Sequence, residues 1–394
     1  MNWMFPIITL PQNADAFTRG QIYGRMADAR IKHSILTYAK MFACCGIDWQ
    51  QARLRARSYM EVISSLDETL MQEMQGIAQG SGWDLDDILA LNCRTEILPP
   101  SFMSDVRHDA QAALEANRLA GLPDWEADTP IDPMVNDGEC TAMCVQGHFS
   151  GDGHTWFAQN WDWIGRQRQA LVILQTHDRQ GRALVTLTEA GMLAKIGMNA
   201  SGFALGLNIL RSHTDGAQPG VPVHIALRHL LSCDSLAHAR ERMDVMHQLG
   251  FGSASNIPCA DAQGEVACFE MAPAGWAECR PENGVVVHTN HFLCESLVQE
   301  QSPMGSTLSS LPRLTTAAAH GAQPSLGFAQ LQEFLRDESD GYLSICRSPN
   351  PALPPEGRVE SVAGIIMNTS TRQIWIAPAV PSQVAFEELT GLWN

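Results

Sequence analysis

The fold turns on residues 138–164, GECTAMCVQGHFSGDGHTWFAQNWDWI. Two β-rich runs, CTAMCVQGHF and HTWFAQNWDW, flank Gly151-Asp152-Gly153, which predicts a hairpin. Along the return run side chains alternate: Asn160 and Asp162 share one face, Trp161 and Trp163 the other, so one face is polar and the other buries indoles. Cys140 opens the first run, so it and the polar residues of the second can meet across the ladder.

Working outward, more hairpins follow. ALVILQTH and ALVTLTE are separated by residues 178–182, and IGMNA and FALGLNIL by Ser201 and Gly202. A helical stretch over residues 223–249 carries a cap at Asp234 or Ser235 in its middle, before strands return in CADAQGEVACFEMAP and GVVVHTNHF. A second helical stretch over residues 311–336 precedes a last hairpin, AGIIMNTSTRQIWIAP. Upstream the period changes: residues 14–96 repeat apolar side chains at helical spacing, with a turn expected at Gly80 to Gly82, a polar start at Asp84 and a short helix through Asp87 to Asn92. Residues 123–138 have no period and read as an exposed linker. Strand blocks enclosing helix pairs predict an α+β layered domain of antiparallel sheets with helices outside.

The composition narrows the function. The chain has 394 residues, 45% of them hydrophobic, which excludes a disordered protein. A formal charge of −17 and the absence of a Lys/Arg run argue against nucleic acid, and the acidic balance favours cationic small molecules or serves solubility. Eleven cysteines without framework spacing predict mostly free thiols in a reducing compartment. The start MNWMFPIITL lacks the basic region of a secretory signal, and no apolar run approaches the ~18 residues of a membrane helix, so the expected location is cytoplasmic.

Four places carry candidate chemistry. Cys140 follows Glu139 where the linker meets the first strand; cleavage of the Glu139-Cys140 bond would give one residue a thiol nucleophile and an α-amine of pKa ~8 as its base, whereas an uncut chain would leave an ordinary strand cysteine. Asp162 is an acid that orients that amine or assists cleavage, or else a strand-end aspartate making turn hydrogen bonds. In residues 285–292, VVVHTNHF, His288 and Asn290 share one face and Thr289 and His291 the other; an Asn amide at a strand end can donate to an oxyanion, worth roughly 3 kcal/mol. A metal is not expected, because His288 and His291 point to opposite faces and lack a third ligand. Arg347, in Ser344-Ile345-Cys346-Arg347-Ser348-Pro349, suits a substrate carboxylate or a bidentate hold on an acid, or is a surface residue. Asn160 and His288 are further candidates to touch substrate. There is no G-x-S-x-G elbow, P-loop, H-E-x-x-H or C-x-x-C.

Together these residues resemble the acyl-CoA:6-aminopenicillanic acid acyltransferase (isopenicillin-N N-acyltransferase-like) family of N-terminal nucleophile hydrolases. The resemblance covers most of the chain: Gly20-Gln21-Ile22-Tyr23-Gly24, GIAQGSGWDLDDILALNCRTEI, Glu139-Cys140-Thr141, QNWDW, GLNIL at residues 206–210, HTNHF and ICRSP. It implies a four-layer αββα fold with a largely helical amino-terminal segment, made as a precursor that cuts itself into residues 1–139 and 140–394. It further implies Cys140 as nucleophile, Asp162 as the processing or orienting acid, Asn290 as oxyanion donor and Arg347 in support. Glu139 stands where the penicillin enzyme has Gly. The expected activity is hydrolysis of a small amide through a thioester, with no cofactor. The alternatives are a coenzyme A-dependent N-acyltransferase, with the acyl thioester as co-substrate only, and an unprocessed binding or scaffold relative. Expected partners are the small amide or amine, the chain's own cleaved amino-terminal segment and a second copy in a homo-oligomer, with no nucleic acid or membrane.

Overall fold

The computed structural model describes residues 5–98, 109–122, 140–302, 309–352 and 358–393. The linker 123–138 and Glu139 lie outside them. A short strand, β1 (Ile7–Thr9), leads into α1 (Ala16–Met26), α2 (Asp28–Cys44), α3 (Trp49–Arg57), α4 (Met60–Ser81), α5 (Leu85–Asn92), α6 (Arg94–Ile97) and α7 (Ala110–Leu119). Then follow β2 (Cys140–Val145), β3 (Trp156–Ile164), β4 (Leu171–His177), β5 (Ala183–Glu189), β6 (Ile196–Asn199), β7 (Ala204–Leu205) and β8 (Asn208–Ile209). Helices α8 (Val223–Leu230) and α9 (Leu236–Leu249) precede β9 (Ser255–Ala260), β10 (Val266–Ala272), β11 (Gly275–Cys279) and β12 (Val285–His288). The chain ends with α10 (Ser310–Gly321), α11 (Phe328–Leu335), β13 (Val359–Asn368), β14 (Gln373–Ala377) and β15 (Glu387–Leu389).

The described strands form two sheets. One has the order β1-β4-β5-β6-β7-β9-β10-β11 with β8 also on β9; the other runs β12-β2-β3-β13-β14-β15. All pairings are antiparallel except β1 on β4. Alternation sorts each strand of the second sheet between two apolar layers. Cys140, Cys144, Phe157, Trp161 and Trp163 join the large core shared with the first sheet. Met143, Val145, Trp156, Ala158 and Ile366 turn outward to pack with Ala317 of α10 and with Leu331, Phe334 and Leu335 of α11. Helices α8 and α9 contribute Ile225, Leu230, Met243 and Met246 to the large core, so the order is helix, sheet, sheet, helix. The α+β four-layer arrangement expected from the sequence is the one observed.

The amino-terminal helices sit over one end of this sandwich. Tyr23 donates through its hydroxyl to the Met192 carbonyl (3.3 Å), and Asn92 Nδ2 donates to the Gly191 carbonyl (2.9 Å), anchoring α1 and α5 to the turn after β5. Helices α1 and α4 cross with almost no space between backbones. A Cβ on Gly20 would lie 2.1 Å from the Glu73 carbonyl oxygen, and one on Gly76 2.1 Å from that of Phe17. The glycines of GQIYG and GIAQG therefore serve helix packing. Gly80 belongs to that contact and continues α4, contrary to the expected turn; the chain reverses only at Gly82, with φ +76. The Asp84 start is observed as a capping box with Asp87, and the mid-stretch cap is Ser235, whose hydroxyl accepts from the His238 N–H. The first hairpin is looser than the sequence suggested: pairing resumes only at Trp156, because Asp152 Oδ1 accepts from Ser150 Oγ, His154 N and Trp156 Nε1 and holds a longer loop.

Candidate active site

Cys140 is the first residue of β2, paired with Trp161 of β3, and is 1% exposed. Its backbone is clamped on both sides. The Cys140 N–H donates to Asn290 Oδ1 (3.3 Å), and Arg313 Nη1 donates to the Cys140 carbonyl oxygen (2.6 Å) and to Thr141 Oγ1 (2.8 Å). Arg313 Nη2 donates to Asn290 Oδ1 (2.8 Å), so one buried guanidinium bridges the cysteine and the asparagine. Asn290 is positioned in turn by its Nδ2 on the Ile209 carbonyl (3.0 Å) and its N–H on Ser310 Oγ (2.9 Å). Asn290 thus fixes the Cys140 amide through its oxygen, and its Nδ2 is engaged with backbone.

The same network reaches the other two candidates. Arg313 Nε (3.3 Å) and Arg347 Nη2 (2.8 Å) both donate to Ser309 Oγ. The Arg347 N–H donates to Ser361 Oγ (2.9 Å), which donates to Asp162 Oδ1 (2.6 Å). Cys140, Asn290, Arg347 and Asp162, distant in sequence, are thus linked by hydrogen bonds through Arg313, Ser309 and Ser361. Asp162 is fully buried; burial pushes its carboxyl up to about 6 despite the opposing fields of Arg347 and Arg313. It lies on the opposite face of β3 from Trp161, hence from the Cys140 side chain, and faces the layer of α10 and α11.

The thiol's own face, between the sheets, carries a second charged cluster that the sequence did not reveal. Lys195 Nζ lies 3.8 Å from the centroid of the Trp161 ring and 3.3 Å from Glu189 Oε2. Arg94 Nη2 is 3.6 Å from the same oxygen, and the Tyr38 hydroxyl donates to Glu189 Oε1. Burial draws Lys195 down to about 8, against the pull of Glu189 and the field of Cys140. Burial alone would raise Glu189, but Lys195 and then Arg94 outweigh it and hold the carboxyl at about 2. At neutral pH Lys195 is therefore a buried cation on the Trp161 ring, on the same face of the sheet as the Cys140 side chain.

Two expected substrate contacts are placed elsewhere. Asn160 Nδ2 donates to the carbonyls of Leu335 (2.8 Å) and Ile345 (2.9 Å), tying β3 to α11. His288 spans the sheets, its Nε2 2.7 Å from Glu270 Oε1 and its Nδ1 2.9 Å from the Thr289 carbonyl, with no exposed surface. Buried between elements, these two side chains act as structural ties. The signal for Arg313 was present but slight: it is the one Arg or Lys in SLPRLTTAAAHG.

Residues 149–378 match the family model described as acyl-coenzyme A:6-aminopenicillanic acid acyl-transferase. The chain is 28% identical over 281 residues to the 40 kDa form of acyl-coenzyme A:6-aminopenicillanic-acid-acyltransferase from Emericella nidulans, covering 70% of this chain and 66% of that protein, just under two thirds of its length. Among solved structures, a conjugated bile acid hydrolase from Clostridium perfringens is similar with a TM-score of 0.45 and 10% identity, over 64% of this chain and 96% of that one. A penicillin V acylase from Agrobacterium tumefaciens gives a TM-score of 0.34 and 14% identity, over 61% and 83%. Among the described residues no helix is long and apolar enough to cross a membrane.

Proposed function

Because the chain belongs to the acyl-coenzyme A:6-aminopenicillanic acid acyltransferase family, we propose that it is a cysteine N-terminal nucleophile enzyme that cleaves a small amide through a Cys140 thioester. The observation that carries the reading is the double clamp on the Cys140 backbone, N–H on Asn290 and carbonyl on Arg313. A strand cysteine with only a packing role has no need of a buried guanidinium at its carbonyl and a carboxamide at its nitrogen.

In this proposal the Glu139-Cys140 bond is cut by the chain itself, leaving residues 1–139 and 140–394 associated. The nitrogen that now donates to Asn290 becomes an α-amine with a reference pKa of ~8, able to take the thiol proton. Lys195, on the thiol's face, stabilises the thiolate. The thiolate adds to the amide carbonyl, and the ammonium returns its proton to the leaving nitrogen as the thioester forms. Water then attacks the thioester and restores the thiol. Asn290 supplies the oxyanion contact once its carboxamide is released to substrate, and Asp162, through Ser361 and Arg347, fixes the wall behind Cys140.

A second reading is supported by the relative's name: an N-acyltransferase in which the acyl group arrives from a coenzyme A thioester and leaves to an amine. The test is to incubate purified protein with a panel of N-acylated amines, then with acyl-coenzyme A and free amines. Release of amine with an acyl adduct on the chain bearing Cys140 supports hydrolysis. Consumption of acyl-coenzyme A that depends on added amine supports transfer. Turnover that survives Cys140→Ala refutes both.

A further inference from the structure

Away from Cys140, the segment after Asn290 brings two other thiols together. Cys279 ends β11, and Cys294 lies four positions beyond Asn290. Their sulfurs are 2.7 Å apart. Both side chains are partly exposed, whereas the other nine cysteines are buried, and both line an open cleft of about 440 Å³ with Val286, Leu293 and Leu314.

A carboxylate oxygen of Glu270 lies within 4.8 Å of both sulfurs, which raises a metal as one occupant. The geometry argues against it. Two thiolates on one tetrahedral zinc, each about 2.3 Å from the ion, stand roughly 3.8 Å apart, well beyond the spacing here. Glu270 is also committed: Oε1 accepts from the Leu293 N–H (2.6 Å) and faces His288 Nε2 (2.7 Å), and Oε2 accepts from the Cys294 N–H (3.0 Å). Those bonds hold residues 293 and 294 in place, so Cys294 is presented to Cys279 by backbone rather than by chance side-chain rotation.

We propose that Cys279 and Cys294 are an oxidation site that takes a reversible disulfide when the protein meets hydrogen peroxide. The Cys294 thiolate attacks one peroxide oxygen and breaks the O–O bond, giving a sulfenic acid and a hydroxide that is protonated to water. The Cys279 sulfur then attacks the sulfenic sulfur, the S–S bond forms, and the displaced hydroxide leaves as a second water. Two thiols and one peroxide become one disulfide and two waters. A small thiol reverses the bond by exchange. Cys279 suits the second role: its hydrogen bond with Cys294, then burial and the field of Glu270, hold its proton in place until it is called on. The link would fasten the edge strand β11 to the loop that carries Asn290.

The proposal is independent of the catalytic reading. Wild-type protein is treated with equimolar hydrogen peroxide, its remaining thiols are blocked with N-ethylmaleimide in denaturant, and the digest is mapped before and after dithiothreitol. One cross-link between Cys279 and Cys294, reversed by dithiothreitol, accompanied by a higher melting temperature than the reduced protein and absent from Cys294→Ser, is the expected result. Both thiols still alkylated after peroxide would overturn it, as would over-oxidation of either without a cross-link. Equimolar zinc that protects both from maleimide would replace it with a metal site.

Discussion

Asp162→Asn separates the energetic burden of the site from its use. The Asp162 carboxyl rises from 3.8 to about 6 on folding because burial outweighs Arg347 and Arg313. A gap of about two pH units at 1.36 kcal/mol each corresponds to roughly 3 kcal/mol between the two protonation states. The folded state holds the proton more tightly than the unfolded chain, so stability is greatest below pH ~4, declines as pH rises through the window from about 4 to about 6, and has lost this contribution above it. The carboxamide keeps the shape without the titration. In the Cys140→Ala background, where the chain stays whole, urea unfolding of the Asp162→Asn variant and of its parent should therefore match near pH 4. They should diverge to about 2–3 kcal/mol in favour of the carboxamide near pH 7, while the same substitution in the Cys140 chain loses cleavage and turnover. A difference that does not change with pH, or a variant less stable than its parent at pH 7, would refute the claim that the buried carboxylate is held at a net cost.

Other perturbations test neighbouring parts of the account. Arg313→Met leaves the Cys140 carbonyl and Asn290 Oδ1 without their buried donor; denaturant unfolding should report a loss of about 3–5 kcal/mol, and intact mass should show cleavage at least ~100-fold slower, with Arg313→Lys intermediate. Lys195→Met should slow alkylation of Cys140 at neutral pH by about tenfold and move its pH profile upward, and Lys195→Arg should restore it; an unchanged profile would remove Lys195 from the thiol's environment. Gly76→Ala, whose Cβ would meet the Phe17 carbonyl at 2.1 Å, should cost about 3 kcal/mol or more by thermal or urea unfolding, against about 1 kcal/mol for Gly82→Ala, where only the positive φ opposes the side chain.

What could be read beforehand follows the range over which each signal acts. Alternation in QNWDW placed Asp162 and the tryptophans on opposite faces because strand geometry is local, and capping by Asp84 and Ser235 is set within four residues. The roles of Arg313 and Lys195 were not legible, since each joins the site only after the chain has closed: Arg313 on the Cys140 carbonyl from a helix 173 positions away, Lys195 on the Trp161 ring from a turn between β5 and β6 with no motif of its own. His288 and Asn160 show the limit from the other side. Polar residues two positions from the candidate Asp162 and Asn290 suggest substrate contacts, but each also satisfies buried groups across a layer, which a strand pattern cannot reveal. Gly80 looked like turn punctuation, and only the helix crossing explains its place within α4.

The most direct test of the account is the intact mass of wild-type protein and Cys140→Ala under denaturing conditions. Cleavage before Cys140 predicts two wild-type chains of about 15 and 28 kDa and a single 43.1 kDa chain in the variant. A single 43.1 kDa species in both would contradict the account, leaving Cys140 without the α-amine on which the mechanism depends.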